Sequence, residues 1–392
     1  MRFRSAASAV LISLAVGCTT SPPSEQQAPD TEPLVLMERV ADWQLAHQND
    51  VAIYGTTHRT LEPREWVKGA FFVGLTSLAD RSKEPRFAQA IVDHGASQQW
   101  RLGDRLLHAD DHVIGQSYLW AYSRQHHTAI LTPMRASFDA ILANPPQASL
   151  DFELGAPERG ERPCQTRWCW SDALFMSPPT WARLSAATAD PRYLTYADAE
   201  FWAATDYLYD REERLYYRDS RFHQRRDQDG RKIFWSRGNG WVVAGVVHML
   251  EALPADHPSR ARYETLLREM AARLILLQSE GGTWPVSLLS GDRHPAPETS
   301  GTAFFVYGLA WGVNHGILDR STYQDAIDRG WAALTRAVQA DGKLGWVQRV
   351  GYAPDQVSAN DTQFYGVGAF LLAGGQIHDM RARDGQLALS PK

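Results

Sequence analysis

The chain has 392 residues, an apolar fraction of 44% and a formal charge of −5. This length and composition allow a large folded core, and the acidic balance excludes a nucleic-acid binder held by a basic field. Trp and Tyr number fourteen each, and flat rings with a polar handle suit sugar faces as well as core packing.

In chain order, the first feature is an export signal. Arg2 and Arg4 precede the short apolar run AASAVLISLAVG, and Cys18 follows Leu14-Ala15-Val16-Gly17. This resembles a bacterial lipobox, which predicts a signal over 1–17 and lipidation of Cys18. Plain secretory cleavage nearby is the alternative. Residues 18–33 are polar and Pro-rich and predict a flexible tether. The expected location is the bacterial periplasm or cell envelope, with membrane contact only through the lipid. No internal run is apolar and long enough to span a bilayer.

The folded part is expected over 34–385, and helical periodicity dominates it. Five amphipathic stretches fall at 36–48, 86–100, 192–210, 259–278 and 321–339. Between them lie six less charged stretches in which Gly or Ser runs into aromatic residues, at 68–78, 114–122, 171–184, 238–253, 300–312 and 363–375. Charged and aromatic helices alternate, and that repeat predicts an all-α chain, an (α/α)6 barrel with aromatic inner helices and amphipathic outer ones. Parallel inner helices would gather their N-termini, with their free N–H groups, at one mouth, where an anion docks favourably.

Polar residues concentrate just ahead of the inner helices. In HADDHVIGQSY (108–118), Asp110 and Asp111 stand between His108 and His112; helix capping alone accounts for one Asp, but two flanked by His point to a site. In TRWCWSDALFMSPP (166–179), Asp172 follows Trp168 and Trp170 and heads an apolar segment with Met176 that Pro178-Pro179 should kink or break. A carboxylate beside tryptophans loses hydration, and a raised pKa is what a general acid requires. Cys164 and Cys169 in this loop fit a local disulfide or two thiols; with no His beside them they make only half a zinc set, which argues against a metal site there. No cofactor is expected for the chain. In WSRGNGW (235–241), Arg237 between Trp235 and Trp241 can grip a carboxylate or serve a structural ion pair. Ser300 reads as a helix cap that offers its hydroxyl, and Trp284 in GGTWPVSL (281–288) as part of a rim.

Together, WSDALFMSPP, WSRGNGWV, ETSGTAFFVYG and ADDHVIGQ resemble glycoside hydrolase family 105, the unsaturated rhamnogalacturonyl hydrolases, and its relative family 88, the unsaturated glucuronyl hydrolases. The resemblance covers nearly all of the chain after residue 33. It implies an (α/α)6 barrel and removal of a terminal 4,5-unsaturated uronic acid from lyase-generated oligosaccharides, with rhamnogalacturonan fragments favoured. It places Asp172 at the acid/base position and Asp110 or Asp111 at the second carboxylate. Arg237, Trp235, Trp241, His112, Trp170, Met176, Ser300 and Trp284 form the expected sugar-contacting set. The chain departs from the family at LYYRDSRF (215–222), where Arg218 stands in place of a His and becomes a candidate carboxylate ligand. An inverting glycosidase using the same carboxylates, and a non-catalytic sugar-binding lipoprotein, are the competing readings.

Overall fold

A computed structural model describes residues 32–54, 62–157 and 161–389. The predicted signal, Cys18 and all but the last two residues of the tether lie outside the described residues. Twelve helices of eleven residues or more organise the described chain. They are α1 (Pro33–Ala46), α2 (Trp66–Ala79), α3 (Pro85–Ser97), α4 (Ile114–Gln125), α5 (Thr132–Ala143), α6 (Pro178–Thr188), α7 (Pro191–Leu208), α8 (Ser236–Ala252), α9 (Arg260–Leu274), α10 (Thr299–Asn314), α11 (Arg320–Ala337) and α12 (Phe364–Leu389).

The even-numbered helices form a closed inner ring. α2 packs on α4, α4 on α6, α6 on α8, α8 on α10, α10 on α12, and α12 back on α2. The odd-numbered helices wrap this ring, and the fold is an (α/α)6 barrel. Inner helices are apolar all round because they are enclosed on every side: α8 is buried from Ser236 to Leu250 and α10 from Thr299 to Gly312. Outer helices bury one stripe, as α3 does with Phe87, Ile91 and Gly95. Pro stands in the first turn of α1, α3, α5 and α7, where its missing N–H costs no hydrogen bond.

The recurring glycines have a packing cause. A Cβ on Gly74 would collide with the backbone of Gly368, and one on Gly368 with the carbonyl of Ala70, so α2 and α12 meet backbone to backbone. Gly245 of α8 meets the Leu174 carbonyl in the same way. One outer helix, α5, is missing from the sequence-predicted set. Only Met134, Phe138 and Ile141 of its twelve residues are buried, too short a stripe to stand out from a loop.

Two local features shape the chain ahead of α6. The helix breaks at the Pro pair as expected, leaving a single turn, Ala173–Met176, before Pro178 begins α6. Cys164 and Cys169 are bonded to each other, with an S–S distance of 2.08 Å, which closes the loop that delivers Trp170 and Asp172.

Gly74→Ala should destabilise the barrel by about 2 kcal/mol or more, because the obstacle is backbone and cannot rotate away. Chemical denaturation measures this, and a loss below about 0.5 kcal/mol would refute the backbone-contact reading.

Candidate active site

The inner-helix starts are neighbours. A Cβ on Gly238, at the start of α8, would lie 3.0 Å from Ser171 Oγ, and one on Gly301, at the start of α10, 3.1 Å from the Arg237 nitrogen. Gly69 of α2 faces Val113 and Ile114 at the start of α4 in the same manner. The Arg237 guanidinium donates from Nη1 to the Gln348 carbonyl at 2.8 Å and from Nη2 to the Arg349 carbonyl at 2.9 Å, in the segment leading into α12. The N-terminal ends thus meet at one mouth.

Asp172 sits in this mouth with its side chain 12% exposed. It precedes a helical turn, yet its carboxylate makes no capping hydrogen bond. Its partners are the Ser171 hydroxyl, donating at 3.0 Å to Oδ2, and Arg218, whose Nε lies 3.9 Å from the same oxygen. Burial raises its pKa, and Arg218, Arg237 and the Ser171 hydrogen bond oppose that without cancelling it.

The adjacent pair Asp110 and Asp111 has two different fates. Asp111 accepts from the backbone N–H of Arg105 at 2.7 Å and from that residue's Nε at 3.0 Å and Nη2. It also fills the space above Gly103, so its carboxylate is consumed in structure. Asp110 has no such partner; its side chain is 18% exposed. Burial, with the charges of Asp172 and Asp111 adding to it, pushes its pKa up to about 7 against the pull of Arg105 and Arg218. Asp110 is therefore the one paired electrostatically with Asp172. His108 beneath it accepts the Asp110 N–H at Nδ1, 3.3 Å away, and packs on Trp170 at 4.9 Å between ring centroids. Burial first, then Arg105, lowers His108 to about 4, so the ring is neutral near pH 7.

Arg218 and the neighbouring Arg221 share a fully buried carboxylate. Asp219 Oδ2 accepts from Arg218 Nη1 at 2.7 Å and from Arg221 Nη2 at 2.8 Å, while Oδ1 accepts from Arg221 Nε at 2.8 Å. Burial opposes ionisation of Asp219, but the two arginines outweigh it and hold the pKa below the usual carboxylate value. The backbone ties this group to the acid: Ser171 N–H donates to the Arg218 carbonyl at 2.8 Å.

Arg237 is stacked between Trp235 and Tyr365, with Cζ 4.3 and 4.7 Å from the ring centroids. Among the described residues it makes no ion pair. It fastens the 348–349 segment, aided by Trp235 Nε1 donating to Gln348 Oε1 at 2.8 Å.

Several predicted sugar contacts are core residues instead. His112 is enclosed, with Nδ1 2.6 Å from Ser177 Oγ and Nε2 2.9 Å from the Leu106 carbonyl. Trp284 is fully buried and donates to the Leu274 carbonyl, so it forms no rim. Trp241 packs between Phe175 and Phe304 with no exposed surface, and Met176 is buried in the turn after Asp172. Ser300 is not the cap of α10. Glu298 is: its carboxylate accepts from the N–H groups of Ser300 at 2.8 Å and Gly301 at 2.7 Å, and the Ser300 hydroxyl donates to it. Glu298, Gln348, Tyr365, Asp219 and Arg221 escaped the sequence reading. Only Glu298 left a local signal, as an acid directly ahead of a Thr-Ser-Gly helix start.

A cavity of about 690 Å3 lies away from these carboxylates, lined by residues including Gln116, Arg183, His248 and Tyr307. Ala187, Glu251 and Ala252 belong to the last turns of inner helices, so this is the opposite mouth. Volume and chemistry part company here. The unspent carboxylates and arginine donors mark the N-terminal mouth as the candidate site.

Paired carboxylates and fixed arginines stand at the mouth of an (α/α)6 barrel, an arrangement that suits a glycoside hydrolase. The model of Glycosyl Hydrolase Family 88 matches residues 36–381, and the chain belongs to that family. It is 41% identical over 347 residues to an unsaturated 3S-rhamnoglycuronyl hydrolase of Alteromonas sp. (strain LOR), covering 87% of this chain and 84% of that protein. It is 34% identical over 349 residues to a protein of the same name from Formosa agariphila, covering 87% and 89%. Among solved structures, a family 88 glycosyl hydrolase from Bacteroides vulgatus superposes with a TM-score of 0.76 at 28% identity, covering 89% of this chain and 99% of that one. A possible GH105 member from Salmonella enterica shares the fold, with a TM-score of 0.73 at 19% identity and coverage of 94% and 100%. The family resemblance read from the motifs therefore holds.

Two substitutions should move the site's titrations in opposite directions. Asp172→Asn removes a like charge, so the Asp110 midpoint falls from about 7. Arg218→Gln removes a cation that lowers Asp172, so the Asp172 midpoint rises further. Carbon-13 NMR of the carboxyl groups reads both, and a shift of opposite sign in either would refute the pairing.

Proposed function

We propose that this chain removes a terminal 4,5-unsaturated uronic acid from lyase-generated oligosaccharides by hydrating the C4=C5 bond. The observation that carries this reading is Asp172, a buried carboxylate with a raised pKa and no capping duty, in a chain closely similar to two unsaturated 3S-rhamnoglycuronyl hydrolases. Those names favour rhamnose as the neighbouring sugar, and we take 3S as sulfation at its O3.

Asp172 is the general acid. Protonated, it delivers its proton to C4 of the enol ether, which leaves an oxocarbenium centre at C5. The ionised Asp172 then takes a proton from water as the oxygen adds to C5. The resulting hemiketal opens at the ring oxygen, and the hemiacetal left at C1 expels the aglycone. Asp110 is the second carboxylate: once ionised, its charge favours the cationic centre at C5. Arg218 holds the substrate carboxylate; its Nη1 is fixed on Asp219, and Nη2 has no protein partner among the described residues. Trp235 and Tyr365 keep Arg237 in place, and Trp170 supports the Asp110 turn through His108.

Asp172→Asn should leave the fold and melting temperature intact and lower kcat/KM by at least ~100-fold on an unsaturated disaccharide. Loss of the ultraviolet absorbance of the double bond follows the reaction. Substantial surviving activity, or faster turnover of the saturated disaccharide, would sink the assignment.

We place the protein at the bacterial cell envelope, in the periplasm, held by lipid on Cys18. The signal over 1–17 supports this, and a disulfide is at home in an oxidising compartment. Cys18→Ala should move the protein from the membrane to the soluble fraction. Membrane retention unchanged in the variant would count against the anchor.

A further inference from the structure

We propose that Arg221, with Tyr352 stacked over it, forms a subsite for a sulfate ester on the sugar next to the uronic acid. The inference rests on the uronyl-hydrolase reading and names a determinant of its substrate that the catalytic carboxylates do not supply.

The placement comes first. Arg218 and Arg221 share one oxygen, Asp219 Oδ2, so their guanidinium groups lie side by side. Arg218 is the inner of the two, 3.9 Å from Asp172. Exposure rises outward along this line. Side chains are 12% exposed at Asp172, 15% at Arg218 and 20% at Arg221, and Tyr352 is 55% exposed. A substrate whose carboxylate meets Arg218 therefore sends its next sugar toward Arg221 and Tyr352.

The charge comes second. Two guanidinium groups share one buried carboxylate, which leaves the cluster with a net positive charge. Arg221 spends Nε and Nη2 on Asp219, and its Nη1 has no protein partner among the described residues. Glu153 is the other acid acting on it, a weaker influence than Asp219 and solvent-exposed. A sulfate ester is anionic at every working pH and accepts hydrogen bonds from a fixed N–H donor without competing for the catalytic proton.

Rigidity comes third. The Arg221 guanidinium lies between two rings, with Cζ 3.9 Å from the Phe152 centroid and 5.3 Å from that of Tyr352. Phe152 is held by its N–H donating to Ser220 Oγ at 2.8 Å. The Tyr352 loop is pinned at both sides: Arg237 grips the Gln348 and Arg349 carbonyls, and Gln348 Nε2 donates to the Ala353 carbonyl at 2.8 Å. A donor held this firmly loses little entropy on binding. The exposed face of Tyr352 is left for the sugar ring.

The test uses a matched pair of unsaturated uronyl-rhamnose disaccharides, one sulfated at O3 of rhamnose and one not. The wild-type chain should favour the sulfated one about tenfold or more in kcat/KM, mostly through KM. Arg221→Gln should collapse this ratio toward one, whatever it does to the rate common to both, and Arg221→Lys should restore part of it. Tyr352→Ala changes an exposed side chain and should fold; it should reduce the ratio several-fold, which keeps the proposal testable if Arg221→Gln does not fold. Equal wild-type rates on the two substrates, or a preference that survives both Arg221→Gln and Tyr352→Ala, overturns the subsite alone. Failure of the wild-type chain on both substrates instead overturns the uronyl-hydrolase reading on which it rests.

Discussion

The structure depends on inner helices that approach until their backbones touch. At Gly74 and Gly368 no side chain separates α2 from α12, and the Gly245 contact with Leu174 locks α8 to the turn after Asp172. Larger residues there would open the ring and spread its N-terminal ends apart. The spacing of Asp172, Arg237 and Glu298 is thus set by contacts well below the mouth. This links a repeat in sequence to the position of the Asp172 carboxylate.

At the mouth, burial and charge compete, and the outcome differs at each carboxylate. Asp219 is fully buried, but two guanidinium groups reach it, and it stays ionised. Asp111 is buried as well, though less completely, and is spent on Arg105. Asp172 has Arg218 only at 3.9 Å and a neutral hydroxyl at 3.0 Å, too little to offset desolvation. Asp110 has desolvation and two neighbouring carboxylates against Arg105 and Arg218, and its pKa is pushed up to about 7. The chemistry is assigned to the two carboxylates whose partners fall short.

The sequence made the barrel legible because its inner and outer helices carry opposite patterns over whole segments. Asp172 was legible because aromatic residues, an acid and a Pro break occur within a dozen positions. Choosing between Asp110 and Asp111 was not possible, since the choice depends on Arg105 curling back over six residues. The hidden parts of the site are long-range: Gln348 meets Arg237 across more than a hundred residues. Trp284, Trp241 and His112 misled for a related reason. An aromatic residue in a loop-like sequence can face the mouth or the core, and only packing between distant segments decides.

The barrel has two mouths, and physical chemistry selects one for an anionic sugar. The opposite end holds a roomy cavity, but its arginines are already matched: Arg183 donates to Gln116 and Glu251, and Arg81 to Asp379. Helix C-termini also surround that end, and their carbonyl dipoles disfavour an anion. At the N-terminal mouth the dipoles reverse, and Arg218 and Arg221 keep donors that no group among the described residues uses. On the proposed reading, the substrate carboxylate and a sulfate beside it meet their donors at this mouth. Asp172 lies 3.9 Å from Arg218, so under the proposed mechanism binding the anion and bringing the double bond to the acid become a single event.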